Sequence, residues 1–153
     1  MVAKLALLDT NLFLLWLVGL RDISYISRHK RTRHFSIDDF ENLNEFLGQT
    51  QKVTTTSQVM VEVSNLLAQT DAEKRLELGV TFQTVLKEVV EHHQTAIELA
   101  DDQHFTRLGL TDSGLLHSSL KDHTLLTTDT PLHTSACALG HSCIHFNEIR
   151  EFS

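Results

Sequence analysis

The chain has 153 residues, 41% of them hydrophobic, with six glycines and one proline. This length suits one well-buried domain, residues 1–153, and the composition argues against a disordered chain. A formal net charge of -7 disfavours general nucleic-acid binding, because phosphate contacts are driven by Lys and Arg. The charge is uneven, since five of the 13 Lys and Arg residues lie between Arg21 and His34, where Asp22 alone opposes them. We therefore expect a basic segment on an acidic body.

The apolar run from Leu12 to Leu20 is too short to cross a bilayer and lacks a small-residue cleavage site. We therefore expect neither a membrane anchor nor export, and a cytoplasmic location follows. Cys137 and Cys143 are the two cysteines of the sequence. In a reducing compartment they are expected to be free thiols packed in the interior.

The first half of the chain predicts alternating strands and helices. Residues 4–8 form a short apolar run typical of a strand buried in a parallel sheet, and residues 11–18 predict a helix that ends at Gly19. Ser36 and Asp39 have the spacing of a capping box before a helix ending near Gly48. Further predicted elements are a strand at 52–55, a helix from Ser57 with an apolar stripe, and a long helix at 71–93 with Leu76, Val80, Val85 and Val89 inward.

The second half repeats this alternation in shorter elements. Thr111 is expected to cap a helix that runs to Lys121, and Pro131 and Gly140 to begin and end another. Strands are predicted at 95–99, 124–128 and 142–146, and a short helix at 101–108. Strands that alternate with helices predict an α/β layer fold on a parallel sheet. Residues 21–50 are then a basic loop and helical insertion between the first two strands.

Four acids stand where burial would ordinarily exclude a carboxylate. Asp9 ends the apolar run KLALLDTN, and Asp129 follows the strand-like TLLTT. Asp112 opens the helix-like LTDSGLL, and Glu62 interrupts the apolar stripe of QVMVEVSNLL. Because the carboxyl ends of parallel strands meet at one sheet edge, Asp9 and Asp129 are expected to be neighbours there. The other two acids can join them from helices that begin at the same edge.

A cluster of carboxylates stays ionised only with a cation, since like charges raise one another's pKa. Oxygen ligands favour Mg²⁺ or Mn²⁺, as one or two ions that keep open positions for phosphate oxygens. Such an ion lowers the pKa of a bound water and so supports hydrolysis of phosphate esters. Asn11 and Thr127, each two residues from an acid, are suited to orient a carboxylate or a metal-bound water.

The segments LLDTN at 7–11, VMVEVSNLL, LTDSGLL at 110–116 and LLTTD at 125–129 resemble, in order and spacing, the four acidic motifs of PIN-domain nucleases. The resemblance covers residues 5 to about 146. It implies a three-layer α/β/α sandwich with a central, mostly parallel sheet, and Mg²⁺- or Mn²⁺-dependent endoribonuclease activity. It also implies catalytic and metal-binding roles for Asp9, Glu62, Asp112 and Asp129, with Asn11 and Thr127 in support. Many compact relatives are VapC-like toxins held by an antitoxin protein.

The expected partners are an RNA substrate, an antitoxin protein and, as a candidate, a second copy of the chain in a homodimer. The basic residues Arg28, Lys30, Arg31 and Arg33 are candidate contacts to RNA, although a solvated loop is the commoner role of such a run. The departures from the compact relatives are a longer stretch between Asp9 and Glu62, and Ser113 with Gly114 where helix formers are usual.

Several alternatives remain open at this point. The main one is an RNA- or protein-binding module of the same fold with weak or no nuclease activity. A receiver-like signalling domain is disfavoured, because it needs an acid pair after the first strand and a Lys after the last. An imidazole acid–base pair drawn from His92, His93, His117 and His123 has no support in their spacing. The set Cys137, His141, Cys143 and His145 suggests zinc, but Gly140 and the expected change from helix to strand disfavour a regular ligand face.

Overall fold

A computed structural model of the chain describes residues 4–119 and 121–151. The strands are β1 Leu5–Leu8, β2 Lys52–Thr56, β3 Val90–His92, β4 His123–Thr127 and β5 Cys143–His145. The helices are α1 Thr10–Arg21, α2 Ile37–Gly48, α3 Ser57–Leu67, α4 Ala72–Leu86, α5 Ala96–Ala100, α6 Phe105–Leu108, α7 Leu110–Ser118, α8 Thr130–Ala138 and α9 Phe146–Glu151, with a 3₁₀ turn at Ile23–Tyr25.

The strands form one parallel sheet in the order β3-β2-β1-β4-β5. Right-handed crossovers place the helices between β1 and β3 on one face of this sheet. The chain then returns across the sheet to β4, so the helices α5 to α8 cover the other face, while α9 packs against α2. Accordingly α1 packs with α2, α3 and α4, while α7 packs with α5, α6 and α8. The predicted three-layer α/β/α architecture is confirmed.

The hydrophobic core lies on both faces of the two central strands. Leu7 and Leu8 of β1 and Leu125 and Leu126 of β4 are fully buried. Because helices cover both faces, these strands consist of continuous apolar residues rather than alternating ones. Burial on both faces thus explains why continuous apolar runs predicted β1 and β4 as strands.

The capping box before α2 is confirmed. The Asp39 backbone N–H donates to Ser36 Oγ at 3.0 Å, and the Ser36 N–H donates back to Asp39 Oδ2 at 3.0 Å. Arg150 at the end of the chain adds an ion pair to the same carboxylate, at 2.9 Å. The insertion between β1 and β2 is therefore tied to α9.

Gly19 does not end α1, contrary to the prediction, because the helix continues to Arg21. Here the glycine serves close packing. A Cβ at Gly19 would lie 2.1 Å from Cδ1 of the buried Phe40 ring. The α2 ring thus occupies the space that any larger residue at position 19 would need.

The prediction of one long helix at 71–93 was wrong. Helix α4 ends at Leu86, and the edge strand β3 follows within the same segment. The predicted inward face was wrong in its first half, since Leu76 is 73% exposed and Val80 is 52% exposed, while Leu78 is fully buried. It was right for Val85, which is buried, and for Val89, which packs against the core. Helix α4 covers the edge of the fold, where its apolar periodicity is weak, and so the sequence did not fix which side faces the core.

Three local predictions in the second half also need correction. Residues 95–99 are not a strand, because Thr95 caps the short helix α5. The short helix predicted at 101–108 is limited to α6. Thr111 does not cap α7, whose N-cap is Gly109 with φ of 86°, and the helix ends at Ser118 rather than Lys121. Among the described helices, none is both long enough and apolar enough to cross a bilayer.

Candidate functional site

The order of the strands determines where a site can form. From β1 the chain moves outward to β2 and β3, and then returns to the other side of β1 to form β4 and β5. The topological switch point therefore lies between β1 and β4. In open parallel sheets ligands bind beyond the carboxyl ends of the strands at such a point. Asp9 directly follows β1 there, and Thr128 and Asp129 follow β4.

Asp9 is 5% exposed and is held from two directions. Its Oδ1 accepts a hydrogen bond from the Leu12 N–H at 2.9 Å, which caps α1. Its Oδ2 accepts from the Thr127 hydroxyl at 2.6 Å and from the Thr128 N–H at 2.8 Å. Burial raises the pKa of Asp9 above its ordinary value, while these donors oppose the rise by favouring the ionised form. The carboxylate is thus fixed between β1 and β4.

Asp129 is half-buried and caps α8 in the same way that Asp9 caps α1. Its Oδ1 accepts from the Leu132 N–H at 2.8 Å, and its own N–H donates to Thr127 Oγ1 at 2.9 Å. Thr127 therefore bridges the two acids, since its hydroxyl donates to Asp9 and accepts from Asp129. The structure places this predicted supporting residue directly against a predicted site acid.

Glu62 lies mid-way along α3, half-buried, and faces the first turns of two other helices. The Thr10 hydroxyl, in the first turn of α1, donates to Glu62 Oε1 at 3.5 Å. The Thr111 hydroxyl of α7 makes a close hydrogen bond to Glu62 Oε2. The acid in the apolar stripe is thus satisfied by hydroxyl groups.

Asp112 lies in the first turn of α7, beside Thr111. Burial, and then the charges of Asp129, Asp9 and Glu62, raise the pKa of Asp112 to about 7. This electrostatic coupling brings all four predicted acids into one group. A carboxyl group with a pKa this high is a common property of functional sites.

The four carboxylates suit a hard divalent cation in their chemistry, because Mg²⁺ and Mn²⁺ take oxygen ligands. Their positions are not those of a closed metal site. Throughout residues 4–119 and 121–151, no three His, Cys, Asp or Glu side chains are placed to hold one ion. Glu62 is turned to its threonine partners and Asp9 is turned to Thr127 and Thr128. Binding of an ion therefore requires side chains to exchange hydrogen bonds for metal contacts.

The remaining predicted site residues are exposed. Asn11 is exposed in the first turn of α1. The basic residues are exposed, and their segment is anchored at the C-terminal end of α3, where His29 Nε2 contacts the Leu67 carbonyl at 3.0 Å. Helix α3 begins at the carboxyl edge of the sheet, and its 11 residues span about 16 Å. This predicted RNA-contacting segment comprises Arg28, Lys30, Arg31 and Arg33.

Three threonines of the site were not predicted from the sequence, namely Thr10, Thr111 and Thr128. Each lies next to a predicted site residue in the sequence. Their positions in the first turn of a helix or at the end of a strand could have identified them as site residues.

The histidines form contacts that their spacing did not indicate. Nε2 of His92 and Nε2 of His123 are 3.0 Å apart, and burial lowers the pKa of His92.

The cysteines are free thiols within the described residues. Cys143 is partly buried, as predicted for a packed thiol, whereas Cys137 is exposed and contradicts that prediction.

No protein-family model matches the sequence, and no curated protein is significantly similar to it. The candidate site is therefore inferred from the residues of this chain alone.

Proposed function

We propose that this protein is a divalent-metal-dependent endoribonuclease of the PIN type that hydrolyses RNA phosphodiester bonds. The observation that carries the proposal is a set of hydrogen bonds at the topological switch point of a parallel sheet. Thr127 bridges Asp9 and Asp129, and Thr10 and Thr111, the sequence neighbours of Asp9 and Asp112, both donate to Glu62. Acids of four separate elements share one region there. Their mutual repulsion is relieved by a proton on Asp112 in the absence of an ion, and an ion would relieve it more strongly.

Mg²⁺ or Mn²⁺, one or two ions, would supply a water of lowered pKa and would neutralise charge on the phosphate. The chain supplies the placement. Thr127 and Thr128 hold the carboxylate of Asp9 in one orientation, and Asp129 is fixed by the first turn of α8. Thr10 and Thr111 hold Glu62 towards the same region. These seven residues thus hold oxygen donors near the carboxyl edge of the sheet, and the donors would exchange hydrogen bonds for metal contacts when an ion binds.

The finer features of the proposal concern partners. RNA is the substrate, and the exposed basic segment at residues 28–33, beside the C-terminal end of α3, is a second contact region for it. A role as the toxin of a toxin–antitoxin pair follows from the resemblance to VapC-like proteins, and implies an antitoxin protein that blocks the acidic edge. A cytoplasmic location accompanies this role.

The test is digestion of a single-stranded RNA with Mn²⁺, with Mg²⁺ and with a chelator. We expect cleavage with either metal, none with the chelator, and products that carry 5′-phosphate and 3′-hydroxyl ends, because water attacks phosphorus directly. An imidazole pair such as His92 and His123 would instead use the 2′-hydroxyl and leave a cyclic phosphate without any metal.

Cleavage that persists with chelator and yields cyclic phosphate would contradict the four-acid mechanism. Absence of cleavage with both metals, together with retained binding of the RNA, would favour the binding-module alternative. An exposed acid outside the group provides the control variant, Asp101→Asn, which should cleave at the parent rate.

A further inference from the structure

A second group of metal-ligating side chains lies outside the acidic site, where α8 packs on β5. Thr130, His133 and Cys137 are spaced by three and four residues and so share one face of α8. Cys143 and His145 are two residues apart and share one face of β5. The two faces meet, since the rings of His133 and His145 are 5.6 Å apart between centroids and Thr130 Oγ1 lies 3.3 Å from His145 Nε2.

The helix and strand run in opposite directions at this contact. The early part of α8 meets His145 at the end of β5, so the later part of the helix, with Cys137, lies towards Cys143 at its start. Cys143 shares with His145 the side of β5 that contacts α8, so its thiol lies on the side of the strand that faces the helix. Two imidazoles and two thiols therefore line one seam.

One pair in this seam already has the separation of zinc ligands. Cys137 Sγ and His133 Nε2 are 3.6 Å apart. In a tetrahedral site with Zn–S near 2.3 Å and Zn–N near 2.0–2.1 Å, adjacent sulfur and nitrogen ligands are about 3.5–3.6 Å apart. The same Nε2 atom is 3.7 Å from Glu148 Oε1, which adds a negative charge at the rim of the group.

We propose that His133, Cys137, Cys143 and His145 form a binding site for a thiophilic divalent ion such as Zn²⁺. The set is Cys₂His₂, which suits zinc and differs from the all-oxygen set of the acidic group. No three of these donors are placed around one point in the present rotamers. The site closes by rotation of side chains, which is open to the exposed Cys137 and to His145. To bind the ion through Nε2, the His145 ring releases Thr130 and also the Asn147 N–H that donates to its Nδ1, so that the proton moves from Nε2 to Nδ1.

The seam differs from the zinc set that the sequence suggested. His141 lies apart from it, in a pocket with Asp102, His117 and Leu139. His133, eight residues earlier in the chain, takes the place of His141 because it lies one helical turn before Cys137. The helix-to-strand change at Gly140, which disfavoured a ligand face in the sequence, instead folds the two pairs of donors onto each other.

Binding of the ion displaces a proton from each thiol to solvent as the sulfur–metal bond forms. Affinity should therefore rise with pH. The ion would join α8 to the edge strand β5, and α8 is the helix that Asp129 caps at the acidic site. A structural role for the ion, separate from catalysis, follows from this position.

The test uses Co²⁺ as a spectroscopic probe on the metal-free full chain, followed by displacement with Zn²⁺. We expect one equivalent of cobalt to give thiolate-to-metal charge-transfer absorption that zinc abolishes. The absorption should be lost in Cys137→Ser and in His133→Gln. It should remain in the matched control His141→Gln and in Asp9→Asn, which alters only the acidic group.

The melting temperature of each metal-free variant provides the folding control. Zinc should raise the melting temperature of the parent and of His141→Gln, but not that of His133→Gln. No charge-transfer absorption in the parent would overturn the proposal. Absorption that is unchanged in both Cys137→Ser and His133→Gln would also overturn it. Cobalt that binds without thiolate absorption and is lost in Asp9→Asn belongs to the acidic group and would likewise reject this site.

Discussion

The four acids of the candidate site divide into two pairs that are held differently. Asp9 and Asp129 follow strands and cap helices, so backbone N–H groups hold their carboxylates. Glu62 and Asp112 are carried on α3 and α7, and the partners of Glu62 are threonine side chains. Main-chain donors thus fix the carboxylates of Asp9 and Asp129 at the strand ends. The carboxylate of Glu62 is held by side chains, so small side-chain movements can redirect it.

The electrostatics follow the same division. Asp9 is more buried than Asp112, yet its hydrogen bonds counter the effect of burial on its pKa. No such donor relieves Asp112 among the described residues, and its pKa rises to about 7. Asp112 therefore takes up a proton near neutral pH when the cluster lacks a cation.

The largest expected effect is on activity. Asp9→Asn and Asp112→Asn should each reduce metal-dependent cleavage of single-stranded RNA by at least about 100-fold, because residues that hold one ion act as a unit. Initial rates at matched Mn²⁺ concentration give the measurement, with Asp101→Asn as the control. Equal loss in both variants would show that strand-borne and helix-borne acids are equally needed, and parent-like rates in either would remove that acid from the mechanism.

Helix α1, which Asp9 caps, and helix α7, which carries Asp112, should differ in their tolerance of an added methyl group. Gly19→Ala in α1 drives a Cβ into the buried Phe40 ring and should destabilise the protein by about 1–3 kcal/mol. Gly114→Ala in α7 meets Gln58 Oε1 at 3.1 Å, and a side-chain amide can move. A gain in helix propensity offsets that contact, so the change should stay within about 1 kcal/mol.

Urea denaturation of both variants measures this pair. Gly79→Ala is the control, because a Cβ there meets nothing within 4 Å and should stabilise α4 by about 0.5–1 kcal/mol. A smaller loss in Gly19→Ala than in Gly114→Ala would contradict the view that α1 is the more rigidly packed helix.

Without metal, Asp9→Asn should destabilise the protein, whereas Asp112→Asn should not. In Asp9→Asn an amide N–H₂ must face either the Leu12 N–H or the Thr128 N–H, since both carboxylate oxygens accept from the backbone. An opposed buried donor costs about 1–3 kcal/mol, which outweighs relief of repulsion. Asp112→Asn loses no such bond and should be neutral or stabilising at pH 8. Urea midpoints in the presence of a chelator decide this, and a stabilised Asp9→Asn would show that repulsion dominates at the strand ends.

The smallest expected effect is a pH dependence that belongs to Asp112. Its folded-state pKa of about 7 exceeds the ordinary value of 3.8, so the native state retains a proton that the unfolded state has lost between these values. Metal-free stability should therefore fall as pH rises from about 4 to about 7, by about 1–2 kcal/mol after allowance for partial exposure.

Asp112→Asn removes the part of this slope that Asp112 contributes, while the raised pKa of Asp9 acts in both proteins. The stability difference between variant and parent should be near zero at pH 4 and largest above pH 7. The difference is the quantity to measure, because the lowered pKa of His92 acts on both proteins in the opposite direction, with stability lost as pH falls below 6.5. A difference that is constant with pH would contradict the raised pKa of Asp112.

Sequence patterns succeeded where a local cause determines the structure. The apolar runs of β1 and β4, the capping box at Ser36 and Asp39, and the proline at the start of α8 each have a cause within a few residues. The same patterns failed at residues 71–93 and at Thr111, where burial at the edge of the fold and a glycine of positive φ decided the outcome. Periodicity carries little information once a helix covers the core only in part.

By itself the sequence determined an α/β fold and the four acids in their order, because buried strands and carboxylates in apolar contexts are local signals. Only the tertiary structure decided which side chains meet. The contacts of Thr127 with Asp9, of Thr111 with Glu62 and of His133 with His145 join residues separated by 118, by 49 and by 12 positions. Such contacts depend on strand order and helix direction, which no short segment of the chain encodes.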